Sequence, residues 1–345
     1  MQKILKTTLS AAASTAVALL LFSGCSEKKE NPSPTGNKQV SGQKNTFYLI
    51  PKTGSSEYWR ALIDGAQSAA ADLNVKLVVK SPDSESDTAE QIAILNQAVS
   101  QNPAAIVIAP SNALKLAPPI EMATNKKVPV IVIDSKAATN KFVSFLASDN
   151  AAIGVLAADK LAEAVKADKG KVEGKILCIT YLSGGASLDK RIKGFTERIN
   201  TRYSGLKIVE TSNAGGKPGK AAELLREALK KYKDLTGIFA NNQVTGGEVV
   251  AELEKENRKN LAIVVVDSGK KEIEGIKNGF VDAMIVQKPW MMGYMGVDCA
   301  VKASKGEKLD KYIDTGIAAI TPDMIKDGSA DEFLSPIEFN NQKDK

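Results

Sequence analysis

The sequence predicts an α/β fold of two doubly wound lobes, each built on a parallel sheet. Two segments nearly repeat each other: Val130–Ser135 reads VIVIDS and Ile263–Ser268 reads IVVVDS. A short apolar run without alternation marks a strand buried on both faces, as in a parallel sheet. From Thr46 onward such runs alternate with helix-period segments at roughly thirty-residue spacing, the signature of βαβ units with right-handed crossovers. The length of 345 residues suits two domains. A content of 43% hydrophobic and 25% charged residues is that of a soluble globular protein and fills two cores.

Met1–Gly24 has a basic start (Lys3, Lys6), an apolar stretch (Ala11–Phe22) and small residues before Cys25. It reads as a secretory signal peptide. Its Leu-Phe-Ser-Gly-Cys ending resembles a bacterial lipoprotein box, so Cys25 is expected to become a lipidated N-terminus on a membrane surface. Residues 25–45 are polar and rich in Pro, Ser and Gly, a flexible tether. Nine strands are expected: Phe47–Ile50, Lys76–Val79, Ala105–Ala109, Val130–Ile133, Lys175–Thr180, Lys207–Glu210, Gly237–Ala240, Ile263–Val266 and Ala283–Val286. Amphipathic helices fall between them. Trp59, Leu62, Ile63 and Ala66 share one face, Ile92, Leu95 and Val99 another, and Ile153, Leu156, Ala157, Leu161 and Ala164 a third. Residues 336–345 form a polar tail.

The formal charge of +6 is spread among interspersed Lys and Asp/Glu, a solvated surface with no nucleic-acid footprint. The chain has no histidine, which removes His-assisted nucleophiles and His-containing metal sites. No metal is expected, and the balance leans towards binding. Gly215–Ala221 falls one residue short of a P-loop, and Ala221 has no hydroxyl for Mg²⁺. No GxGxxG follows the first strand, so no cofactor is expected. Cys178 and Cys299 read as buried apolar residues, with a disulfide between them left open.

In open α/β sheets, ligands bind outside the carboxyl ends of the strands. Asp134 and Asp267 end the two repeated strands, and an ionised carboxylate accepts several short hydrogen bonds from hydroxyls. The alternative role for each is to cap the following helix, a task Ser135 and Ser268 can also do.

A series of motifs extends this reading: Lys52 with Tyr58-Trp59, Asp64-Gly65-Ala66, Ile108-Ala109-Pro110-Ser111, Pro129–Asp134, Ala147-Ser-Asp-Asn150, Arg191-Ile-Lys-Gly194-Phe195, Phe239-Ala-Asn-Asn242, Val266-Asp267 and Gln287-Lys-Pro289. In this order, from about Thr46 to Asp323, they resemble the type I periplasmic sugar-binding proteins of ABC importers, the ribose-binding group. The resemblance implies two Rossmann-like lobes joined by a three-stranded hinge and closing over a small ligand. It places residues 46–148 with 288–314 in the first lobe and 149–287 with 315–335 in the second. It makes Asp134 and Asp267 sugar contacts, Arg191 a planar clamp, Asn242 and Gln287 amide contacts (with Asn241 and Gln243 as neighbours able to exchange roles with Asn242), and Tyr58 and Trp59 an aromatic pair for a sugar face. Ser111 falls in a contacting position by the same match. Adjacent helical residues point about 100° apart, so core packing is the better reading for one of Tyr58 and Trp59. Lys52, with Ser135 after Asp134, also resembles the branch that binds autoinducer-2. Three departures point away from ribose itself: Ser135 where Arg is common, Ala109 where Asn is common, and the glycine-rich Asn213–Gly216 where an aromatic is expected.

The resulting expectation is a monomeric, lipid-anchored, extracytoplasmic protein that captures a small polar, sugar-like ligand and delivers it to an ABC permease. A ligand-presenting signal receptor shares the same cleft. A hydrolase would need Asp134 and Asp267 at catalytic spacing.

Overall fold

The computed structural model describes residues 45–334. The first sheet has six strands: β1 (Thr46–Ile50), β2 (Lys76–Val79), β3 (Ala105–Ile108), β4 (Val130–Ile133), β5 (Ser144–Ala147) and β11 (Tyr312–Asp314), in the order β11-β5-β4-β3-β1-β2. The second holds β6 (Gly174–Thr180), β7 (Leu206–Asn213), β8 (Leu235–Ala240), β9 (Ala262–Val266), β10 (Ala283–Val286) and β12 (Ala318–Ile320), in the order β12-β10-β9-β8-β6-β7. All pairings are parallel except β10 with β12. Replacing β1–β5 by β6–β10 maps one order onto the other, so the repeated strands β4 and β9 occupy equivalent central places.

Each sheet is covered on both faces. Helices α1 (Glu57–Asp72) and α9 (Pro289–Ser304) pack on one side of the first sheet, and α2 (Thr88–Ser100) and α3 (Ala117–Asn125) on the other. On the second sheet, α4 (Asn150–Lys169) and α5 (Ala186–Arg202) cover one side; α6 (Lys220–Lys231), α7 (Gln243–Lys255) and α8 (Lys270–Lys277) cover the other. Two short helices, α10 (Pro322–Asp327) and α11 (Asp331–Leu334), end the described chain. β3, β4, β8, β9 and β10 are buried at every position, which is why their sequences lack alternation.

The chain passes between lobes three times: after β5, after β10, and between β11 and β12. Two crossings are tied together, since Ser148 Oγ lies 3.1 Å from Thr315 Oγ1 and donates to the Gly316 carbonyl at 2.9 Å. Gly316 has φ +77°, a turn that glycine takes without steric cost.

All nine expected strands form, with ends shifted by up to three residues. β5, β11 and β12 were not anticipated. β11 and β12 span three residues each, and β11 is partly exposed, so they carry no buried run to read. Cys178 on β6 and Cys299 on α9 are free, buried and in different lobes, so no disulfide joins them. Burial pushes their thiols up, to about 12 and about 11 respectively. No helix among the described residues is long and apolar enough to cross a membrane. The expected signal peptide, the expected lipidation at Cys25 and the expected polar tail lie outside the described residues.

Candidate functional site

β4 and β9 both end in an aspartate with left-handed backbone: φ is +60° at Asp134 and +71° at Asp267. Each backbone N–H reaches the neighbouring strand, Asp134 to the Leu146 carbonyl at 2.9 Å and Asp267 to the Ile285 carbonyl at 2.8 Å. The strand therefore stops, and the side chain turns into the space beyond the sheet. Left-handed geometry costs a non-glycine residue about 1 kcal/mol or more, and such strain gathers at functional sites. Both carboxylates line one cavity between the lobes.

On the first lobe, Lys52 follows β1 and reaches across the strand ends. Its Nζ lies 2.7 Å from Asp134 Oδ2 and donates to Ser135 Oγ at 2.7 Å. Ser135 Oγ also lies 2.8 Å from Asp134 Oδ2, while Tyr58 OH donates to Oδ1 at 2.9 Å. Burial alone would raise the Asp134 carboxyl; the Lys52 ammonium beside it, with Arg191 and Ser135, holds it below the ordinary range. Asp134 is thus an anion with about one acceptor position left.

On the second lobe, Arg191 sits in the second turn of α5. Its Nε donates to Asn150 Oδ1 at 2.8 Å, and its Nη1 donates to the Asn241 carbonyl at 2.9 Å while lying 3.6 Å from Asp267 Oδ2. Gln287 Nε2 donates to Asp267 Oδ1 at 2.7 Å. Burial raises the Asp267 carboxyl, Arg191 and Gln287 oppose the shift, and the Asp134 charge adds to it. Lys52, Asp134, Arg191 and Asp267 are 2–6% exposed. Burying four charges is tolerable only because they pair and hydrogen bond.

Close helix packing aims Arg191. A Cβ on Gly194 would come within 2.3 Å of the Ala151 carbonyl, and one on Gly154 within 2.1 Å of the Arg191 carbonyl. The two glycines let α4 and α5 touch backbone to backbone, which brings Asn150 under the guanidinium.

Tyr58 and Trp59 both line the cavity, edge to face with centroids 5.1 Å apart. Core packing, expected for one of them, holds for both: each body packs in the core while its polar tip reaches the site. The Trp59 indole N–H donates to Glu85 Oε1 at 2.6 Å. Asn242 also lines the cavity and caps α7 at once, its Oδ1 accepting from Thr245 N at 3.1 Å and Thr245 Oγ1 at 2.8 Å. Its amide nitrogen remains as the group it offers. Ser135 reaches across the gap to Ser187 Oγ, 2.9 Å away. Ser111 is not part of the cavity wall; its Oγ donates to Thr88 and its N–H to Gln91.

Gln243, an alternative to Asn242 in the sequence reading, lines the cavity beside it, while Asn241 does not. Several residues were not foreseen: Glu85, Ser56 and Ser187 line the cavity, and Asn150 holds Arg191. Gln91, fully buried, donates to the carbonyls of Pro51 and Ala109 and accepts from Ser111 N, tying together the loops after β1 and β3. Only Asn150 had a sequence signal, because it belongs to the Ala147–Asn150 motif. Among the described residues no group of three or more acidic or thiol side chains forms a metal site. The cavity is narrow, ≈ 30 Å³, so a sugar-sized ligand requires the lobes to part or the side chains between them to turn.

Residues 47–308 match the family model described as periplasmic binding protein domain. The ribose import binding protein RbsB of Haemophilus influenzae is 28% identical over 278 residues, 81% of this chain and 92% of that protein. A carbohydrate transporter solute binding protein from Agrobacterium radiobacter, solved with D-arabinose, is 34% identical with a TM-score of 0.83, covering 86% of this chain and all of that one. An ABC transporter solute binding protein from Agrobacterium vitis with bound D-fucose is 30% identical, with a TM-score of 0.79, covering 84% of this chain and 99% of that one.

Proposed function

Because this chain belongs to the periplasmic binding protein domain family, we propose that it captures a sugar between its lobes outside the cytoplasm and delivers it to an ABC permease. The observation that carries this reading is the pair Asp134 and Asp267: equivalent strand ends, equivalent backbone, one shared cavity. Asp134, Lys52, Tyr58, Trp59 and Ser135 contribute from one lobe, and Asp267, Arg191, Asn242 and Gln287 from the other. Carboxylates accept from hydroxyls, while Arg191 and the amides donate to ring and hydroxyl oxygens. The aromatic edges supply apolar surface for C–H groups. A relative named as a ribose import binding protein, and two solved solute binding proteins with D-arabinose and D-fucose bound, support a monosaccharide.

The moving bodies are residues 46–148 with 288–314, and 149–287 with 315–335. Only the closed arrangement brings both sets of contacts to one ligand, so the ligand shifts the population towards closure. A lipid on Cys25 would hold the monomer at the membrane near its permease. The site binds without turnover.

A thermal-shift screen of pentoses, hexoses, deoxysugars, polyols and autoinducer-2 tests this. A ligand at a hundred times its dissociation constant stabilises by about 2.7 kcal/mol. A rise in Tm with at least one monosaccharide is expected; a flat response to every sugar contradicts the reading.

A further inference from the structure

Counting charge in the cavity gives three carboxylates, Glu85, Asp134 and Asp267, against two cations, Lys52 and Arg191. Lys52 is engaged by Asp134 and Ser135, and Arg191 leans on Asp267, Asn150 and the Asn241 carbonyl. Glu85 is the odd one. It lies between β2 and α2, it is held by the Trp59 indole N–H, and no Lys or Arg among the described residues pairs with it. Burial raises its carboxyl despite the nearby Lys52. The unpartnered acceptors of the wall point the same way. Gln287 Oε1 and Gln243 Oε1 are buried with no donor. A half-buried carboxylate without an ion-pair partner, in a wall that also holds idle acceptors, suits something cationic and donor-rich.

We propose that Glu85 is a specificity-determining residue that meets a protonated amine on the ligand, so that the site prefers an amino sugar to the neutral sugar of the same stereochemistry and to the corresponding sugar acid. This rests on the sugar reading above. An ammonium supplies three donors and the missing positive charge. A sugar acid would add a fourth carboxylate.

The test is isothermal titration of the full chain. The neutral monosaccharide that gives the largest thermal shift is compared with its monoamino-deoxy analogues and its uronic acid, in the wild type and in Glu85→Gln. The best amino analogue is expected to bind about tenfold tighter than the neutral sugar, and the acid more weakly than both. In Glu85→Gln, checked for folding by circular dichroism, the ratio of amino to neutral affinity should approach one, whatever happens to the absolute values. If every amino analogue binds no tighter than the neutral sugar in the wild type, the inference is overturned while the proposed function stands. An amine preference that survives in Glu85→Gln overturns it too and transfers the role to Asp134 or Asp267. A uronic acid that matches its parent also overturns it and makes Lys136, Lys190 and Lys311, in the adjoining groove shared through Asp134 and Ser187, the deciding charges. If no sugar of any kind binds, the proposed function falls and this inference with it.

Discussion

Lys52 shows how much a single side chain is asked to do. It is 5% exposed, and its charge is tolerated because Asp134 and Ser135 both lie 2.7 Å away. Removing one partner of a buried pair costs about 3–5 kcal/mol, because the other charge stays behind unmatched. Asp134→Ala is therefore expected to be strongly destabilised in urea unfolding. The double variant Lys52→Ala with Asp134→Ala should lose less than the sum of the two single changes; additive losses would contradict the coupling. Trp59 and Glu85 make a second point at this scale. Tyr58, Trp59, Asp134 and Asp267 were legible because motifs and strand ends name them. Glu85 and Ser187 were not, because their roles arise from convergence of distant segments. Glu85 sits in a polar loop, Ser-Pro-Asp-Ser-Glu-Ser-Asp, whose composition reads as solvated turn. Only the fold brings it under the indole of Trp59.

Among the elements, the buried parallel strands were plain in sequence and the short edge strands were not. β4 and β9 carry an unbroken apolar run because both faces are covered. β11 and β12 pair for three residues each, too briefly for periodicity to appear. The α4–α5 contact depends on Gly154 and Gly194. Gly194→Val would thrust a branched side chain into the Ala151 carbonyl and push α5 away from α4. Overpacking of this kind costs about 1–3 kcal/mol. It should also weaken ligand binding, because Arg191 rides on α5; wild-type affinity in a destabilised Gly194→Val would break the link between packing and site. Helix α8 offers a test by pH. Glu272 is fully buried and no Lys or Arg among the described residues pairs with its carboxyl. Burial, with Glu57 and Asp267 adding negative charge, pushes it from the ordinary 4.5 up to about 8. The folded state then holds a proton that the unfolded state releases between those values. That contribution is complete below pH 4.5 and lost as pH rises towards 8. The wild type is expected to lose Tm relative to Glu272→Gln from pH 5 to about 9. A constant difference would show that Glu272 does not titrate there.

For the whole molecule, two equivalent sheets place equivalent aspartates across a gap, and three crossings let the lobes move. Among the described residues, two hydrogen bonds link the lobes away from the hinge. Ser135 meets Ser187, and Glu57 Oε2 accepts from the Lys270 N–H at 2.7 Å at the start of α8. Such contacts are weak enough to break and re-form, as a closing device needs. X-ray scattering should give a smaller radius of gyration with saturating sugar than without; an unchanged radius would argue against closure. In the proposed function, two acidic residues grip one ligand from opposite sides. The most direct measurement is titration of the best monosaccharide into Asp134→Asn and Asp267→Asn, each verified as folded. The prediction is an affinity loss of about a hundredfold or more in each, as expected when a charged acceptor is lost from a buried site. Binding at the wild-type level by either folded variant would contradict it.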